Sequence, residues 1–168
     1  IGLVRVPLMQ SSEVKLLQLE PDVFIAALPR DSHLVNRQPL RLSDMADEYF
    51  VMYAPTHAAG LHSAALLACQ QAGFIPKVSQ QAIQVQTVLA LVESGLGVAL
   101  VPSIMQRYIS DRILYRPLVD VLPASSIGLA LAYMADTESK AAAHFRELAR
   151  REVKLNTFGI NLHAGQPT

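Results

Sequence analysis

The sequence holds one cysteine and no tryptophan, its aromatic residues amount to only 6%, and its 14 basic and 14 acidic side chains cancel. A lone Cys69 excludes an internal disulfide, so a reducing compartment, the cytoplasm, is the expected home. The absent positive excess excludes a binder of nucleic-acid backbone, because that work needs clustered basic charge. No apolar run approaches a membrane span, and the first residues lack the charged-then-apolar layout of a signal peptide, so a soluble, unexported protein is expected. With so few rings, the 51% hydrophobic content must be largely aliphatic, as in a sheet covered by helices. At 168 residues the chain is one ordinary domain, or two small lobes sharing a cleft. It opens directly in Ile1-Gly2-Leu3-Val4-Arg5-Val6 without a methionine, which reads as an N-terminal truncation.

Strand and helix patterns alternate along the chain. The opening strand stops at Pro7, and a looser stretch leads to the apolar run Val23 to Leu28, closed by Pro29 and the polar Arg30-Asp31-Ser32-His33, a suitable place for a crossing between lobes. Leu40 to Asp47 reads as a short helix capped by Ser43, and Tyr49 to Tyr53 as a strand broken at Pro55. From Gly60 the pattern is helical, with Leu61, Ala65, Ala68 and Ala72 on one stripe and Gly73 placed for a left-handed cap. Val78 to Ala82 is a strand; Val85, Val88, Leu89 and Val92 form a helix stopped by Ser94-Gly95; Gly97 to Val101 is a buried strand.

Ser103 is then expected to cap a short helix to Ser110, Ile113 to Tyr115 to form an edge strand, and Leu118 to Ser126 to carry the second crossing. Ile127 to Met134 is an apolar strand, and Asp136 starts a last helix burying Ala142, Phe145, Leu148 and Ala149, with a frayed polar tail from Asn156. Short links between strands and helices predict parallel strands with helices on both faces, and a ligand site beyond the strands' carboxyl ends.

The best binding candidate is the loop after Tyr53, where Pro55, Thr56 and His57 offer shape and donors and Gly60 permits close approach. The amides of Gly60, Leu61 and His62 would be unpaired at that helix start and suited to a carboxylate. The plain alternative, that Thr56 only caps a turn, stays open. A second helix start at Gln84-Val85-Gln86 follows a parallel strand and should converge on the same cleft, although Gln86 reads better as a solvated first-turn residue. Arg5, between Val4 and Val6, needs either a ligand or an internal acid to offset desolvation, and both remain open.

Other chemistries fit poorly. His57 and His62 are five apart across a loop–helix junction, which is wrong for a helical metal pair, so no metal or cofactor is expected. Ser63 lacks the Gly-x-Ser-x-Gly elbow, Cys69 lies among Ala and Leu mid-helix, and Gly95-Leu96-Gly97 follows a helix rather than a strand. An enzyme is not expected; the mixed charges from Glu147 to Glu152 are an ordinary solvated helix face.

Four segments carry a resemblance: Ile1 to Pro7, Phe24 to His33, Ala68 to Phe74 and, most specific, Leu91-Val92-Glu93-Ser94-Gly95-Leu96-Gly97-Val98-Ala99-Leu100-Val101-Pro102. From Ile1 to about Val153 the chain resembles the inducer-binding domain of LysR-type transcriptional regulators. That resemblance implies an α/β, periplasmic-binding-protein-like fold of two Rossmann-like lobes joined by two crossings. Lobe I would comprise residues 1–29 and 127–155 and be incomplete, lobe II residues 30–126, and the tail 156–168. It implies a winged helix-turn-helix missing from this chain, through which alone DNA would be met, and a cytoplasmic homodimer or homotetramer acting as an activator or a repressor. A small organic anion would sit between the lobes against Arg5, Pro55, Thr56, His57, Gly60, Leu61, Gln84 and Val85. The Arg-x-Pro of the opening strand resembles members answering to aromatic acids. A transporter's solute-binding protein, sharing fold and cleft, is the rival reading.

Overall fold

The apolar run Ile127 to Tyr133 becomes β8, the middle strand of a first sheet, because a strand paired on both sides is the one that buries most. Antiparallel to it lie β1 (Gly2–Val6) on one side and β2 (Lys15–Asp22) on the other. Arg5 faces Leu129 in this register. A bulge between Gln18 and Glu20 brings the Glu20 carbonyl to the place a side chain on Gly128 would need. The computed structural model describes residues 1–7, 13–121 and 127–160, with side chains through 153.

The second sheet is built on β3 (Phe24–Pro29), whose residues Phe24 to Leu28 are buried. It pairs antiparallel with β6 (Ala99–Pro102) and β7 (Ile113–Arg116). β4 (Tyr49–Tyr53) runs parallel to β5 (Lys77–Ala82). Val98 joins the two parts, since Val51 N–H donates to its carbonyl and its own N–H donates to Tyr49 O, each at 2.8 Å. The spatial order is therefore β5-β4-β6-β3-β7. Helices α1 (Ala59–Gln71) and α2 (Val85–Glu93) form the crossovers and bury Ala64, Ala65, Ala68 and Cys69, and Val88, Leu89 and Val92. Both end on a glycine in the left-handed region: Gly73 at φ 90°, with Phe74 N–H donating back to Cys69 O at 3.1 Å, and Gly95 at φ 75°.

The structure corrects the expectation of parallel strands throughout. A parallel neighbour needs a long crossover, and only β4, β5 and β6 are linked by helices. Between β3 and β4 the chain makes just two 3-10 turns, His33–Asn36 and Leu42–Met45. The expected helix Leu40 to Asp47 is thus one turn, capped not by Ser43 but by carboxylates: Asp44 accepts from Arg41 N–H at 2.9 Å and Asp120 from Leu42 N–H at 2.7 Å. Ser103 likewise caps nothing; it opens a 3-10 helix ending at Arg107, and its side chain is used elsewhere.

The last helix, α3 (Lys140–Ile160), starts four residues later than expected and continues past Asn156; residues 161–168 lie outside the described part. Ser139 Oγ accepts from Ala142 N–H at 3.2 Å, which fixes that start. Phe145 and Leu148, expected in the core, are 54% and 47% exposed, because α3 rests on β2 and turns Arg146 onto the Tyr133 ring. The strand β2 was not expected at all.

The polar turn after Pro29 is not where the chain changes sheets. β2 ends in the first sheet at Asp22 and β3 begins in the second at Phe24, leaving Val23 as the link. The return runs between Arg116 and Ile127, and residues 122–126 of it lie outside the described part.

Candidate functional site

Four stretches distant in sequence meet at one cavity of about 740 Å³ that opens to solvent. Val4 and Arg5 come from β1 and Pro7 directly follows it; Thr56 to Leu61 come from the loop after β4 and the first turn of α1; Ile83 to Gln86 lead into α2; Met105 closes the wall after β6. The β4-to-α1 and β5-to-α2 junctions share this end because β4 and β5 are parallel. Of the expected residues, Arg5, Thr56, His57, Gly60, Leu61, Gln84 and Val85 line the cavity. Pro55 does not; it sits exposed on the turn before it. Gln86, read from sequence as merely solvated, does line it.

Neither helix start is capped by a side chain, with Ala58 and Gln84 in the capping positions. First-turn amides of both helices therefore retain their capacity for an anion, with the positive ends of two helix dipoles behind them. His62 N–H is not among these amides, since α1 begins one residue earlier than expected and that group donates to Ala58 O at 2.9 Å. The His62 ring is engaged too: its Nδ1–H donates to the Tyr53 carbonyl at 2.7 Å, which tethers α1 to β4. Thr56 Oγ1 and His57 Nδ1 lie 2.8 Å apart and order the loop.

Arg5 supplies the formal positive charge. Its Nη1 stands 3.8 Å from Asp22 Oδ2, an ion-pair distance too long for a hydrogen bond, and its side chain is 36% exposed. Asp22, only 9% exposed, is chiefly occupied elsewhere. Its Oδ1 accepts from Val23 N–H at 2.8 Å, Ser103 N–H at 2.9 Å and Ser103 Oγ–H at 2.5 Å. The sequence readings of Arg5 as ligand clamp or as half of an internal pair thus meet in one place: the acid is present, yet the guanidinium hydrogen-bonds to nothing among the described residues.

Sequence reasoning missed Asp22, Ser103 and Tyr53. Tyr53 ends β4, is 1% exposed, and its hydroxyl has no partner among the described residues. Burial pushes that phenol above its usual range, with Arg5 opposing and Asp22 reinforcing the shift. Elsewhere burial pushes the Cys69 thiol up to about 12. No three His, Cys, Asp or Glu side chains gather as a metal site among the described residues, and none of the described helices is long and apolar enough to cross a membrane.

A family description, the LysR substrate binding domain, matches residues 1–154. The chain belongs to the LysR substrate-binding domain family. It is 29% identical over 147 residues to the HTH-type transcriptional regulator AlsR of Bacillus subtilis (strain 168), covering 86% of this chain and 47% of that protein. This LysR domain spans about half the length of the curated relatives it matches. In fold it matches the BenM effector binding domain bound to its effector benzoate, with TM-score 0.73 and 22% identity over 99% of this chain and 72% of that one. It also matches the effector binding domain of QuiR in complex with shikimate, with TM-score 0.77 and 17% identity over 90% and 71%. The fold is thus the two-lobed, periplasmic-binding-protein-like α/β fold of LysR effector-binding domains.

Proposed function

We propose that this LysR domain senses a small organic anion in the cavity between β1 and the starts of α1 and α2, and that it does so as part of a transcriptional regulator. The observation that carries the reading is the convergence of Arg5 with two uncapped helix starts on one space of about 740 Å³. In this reading a carboxylate takes the guanidinium and the first-turn amides, while Leu61, Val85 and Met105 pack the apolar body. Benzoate in BenM and shikimate in QuiR are organic acids, which supports that ligand class here. The curated relatives are regulators, and this favours a sensing role over catalysis and over solute delivery to a transporter.

The first lobe would be residues 1–22 together with the chain from 127 onward, and the second residues 24–116 with part of the return segment, following the change of sheet at Val23. An anion contacting both lobes favours one angle between them, and differential affinity for the two arrangements is what moves the equilibrium. In this reading a cytoplasmic homodimer or homotetramer passes that angle to DNA through a helix-turn-helix outside these residues and so regulates transcription. The deciding experiment is a thermal-shift screen of aromatic and aliphatic carboxylates, benzoate and shikimate among them, followed by calorimetry on wild type and Arg5→Ala. A ligand that binds the folded state raises the melting temperature by mass action. Unchanged affinity in the Arg5 variant ends the assignment.

A further inference from the structure

The hydroxyl of Tyr53 is buried and has no partner among the described residues. Tyr53 ends β4, the parallel neighbour of β6, and at the end of β6 Ser103 holds Asp22, which in turn faces Arg5. A buried hydroxyl without a partner carries a free-energy penalty, so any arrangement that gives it one is favoured. Asp22 offers the acceptor. Its Oδ1 is filled by Val23 and both donors of Ser103, whereas Oδ2 is held only by the long contact to Arg5. An anion that draws the guanidinium into the cavity strips Oδ2 of its counter-charge in a nearly enclosed position. A phenol is the matching donor, since O–H bonds to a carboxylate are short and strong.

We propose that Tyr53 is a positioning residue that takes over Asp22 Oδ2 when an anion in the cavity draws Arg5 away. The inference rests on the sensing role of the same cavity and deepens it. Asp22 ends β2 in the first sheet and is bonded to Ser103 at the end of β6 in the second. Tyr53 ends β4, directly before the loop and helix start that line the cavity. The new bond ties that wall to the junction of the two sheets, so occupancy is registered where the lobes turn on each other.

The exchange can be read without ligand by removing the guanidinium. Tyrosine is labelled with 13C at the ζ carbon, and the Tyr53 line, one of five in the chain, is assigned by its loss in Tyr53→Phe. In Arg5→Met the Tyr53 line is expected to move as the hydroxyl begins to donate to Asp22, and in Arg5→Lys, which keeps the charge, to stay near its wild-type position. An unmoved line in Arg5→Met, or an equal shift in Arg5→Lys, overturns the proposal. Should Arg5→Met not fold, the urea midpoint of Tyr53→Phe decides: equal to wild type or higher is expected, because the hydroxyl has no partner to lose, and a lower midpoint counts against it. No ligand enters these measurements, so they judge Tyr53 alone, whereas calorimetry on Arg5→Ala judges the anion site.

Discussion

Asp22 and Ser103, 81 residues apart in sequence, are joined twice: Asp22 Oδ1 accepts the Ser103 amide at 2.9 Å and the Ser103 hydroxyl at 2.5 Å. The pair fastens the end of β2 to the end of β6, across the point where the chain passes from one sheet to the other. Ser103→Ala keeps the amide bond and loses the hydroxyl, so it is expected to destabilise by about 1.5–3 kcal/mol, the usual range for a hydrogen bond to a charged group. Asp22→Ala leaves the Ser103 amide its bond to the Val23 carbonyl at 2.9 Å but takes the acceptor from both the Ser103 hydroxyl and the Val23 amide, so it should destabilise more. Equilibrium urea denaturation of the two variants checks the order.

Arg5 and Asp22 predict opposite signs for ligand binding. In the proposed anion site Arg5→Ala would remove the counter-ion of the carboxylate and should weaken the affinity found in the carboxylate screen by about 10–100-fold, corresponding to about 1.5–3 kcal/mol for a charge-assisted bond. Asp22→Asn removes the charge that competes for the same guanidinium, so affinity should rise a few-fold. The gain is modest because Arg5 is already 36% exposed and solvent screens the pair. Titration calorimetry at one ionic strength reads both.

Two glycines separate a conformational requirement from a packing one. Gly73 has φ 90° with open space around it, so Gly73→Ala meets only the left-handed backbone penalty of about 1–2 kcal/mol. Gly97 has φ 143°, and a side chain there would run into the Tyr49 carbonyl that accepts Val98 N–H. Gly97→Ala must therefore separate β4 from β6 as well, and it should destabilise clearly more than Gly73→Ala when urea midpoints are compared.

Those glycines also show what could be read from sequence. Gly73 and Gly95 mark the ends of α1 and α2 because a helix stop is a local event, visible in neighbouring residues. The same locality exposed both helix starts, which is why Gly60, Leu61, Gln84 and Val85 were found together at one cavity. β2 escaped because it is an edge strand whose Leu16, Leu17 and Leu19 are only half-buried, leaving no clean alternation over Lys15 to Asp22. The α3 stripe misled for the opposite reason: helical spacing names a face, and only packing decides whether the face is covered. Asp22, Tyr53 and Ser103 were invisible because each acquires its meaning from a group far away in the chain.

Cys69 should be inert in the folded protein. It is fully buried in α1 and its thiol is pushed up to about 12, so negligible thiolate is present near neutrality. Iodoacetamide at pH 8 is expected to leave the native chain unmodified and to label it in urea, with mass spectrometry as the readout. Native labelling at the rate of a free thiol would reopen the case for a nucleophile there.

Acid should weaken the packing of the last helix. Arg146 donates to Glu138 through Nε, at 3.1 Å to both oxygens, and through Nη2 at 2.8 Å, and these bonds hold the Glu138 carboxyl below the usual range against the opposing effect of its burial. A carboxyl lowered in the folded state contributes stability that is complete above its unfolded pKa, about 4.3 for glutamate, and is lost as the pH falls through the lower folded value. Glu138→Gln keeps the shape and abolishes the titration. The stability gap between wild type and Glu138→Gln should therefore stay constant between about pH 7 and 5 and narrow only below about pH 4, where the wild-type carboxylate takes up its proton. Asp44, lowered chiefly by the Arg41 amide and further by Arg37, should lose its contribution over the same acid range, so Asp44→Asn removes a second, separate part of the acid sensitivity. A wild-type urea midpoint that falls with pH no faster than that of the doubly substituted chain would contradict both assignments.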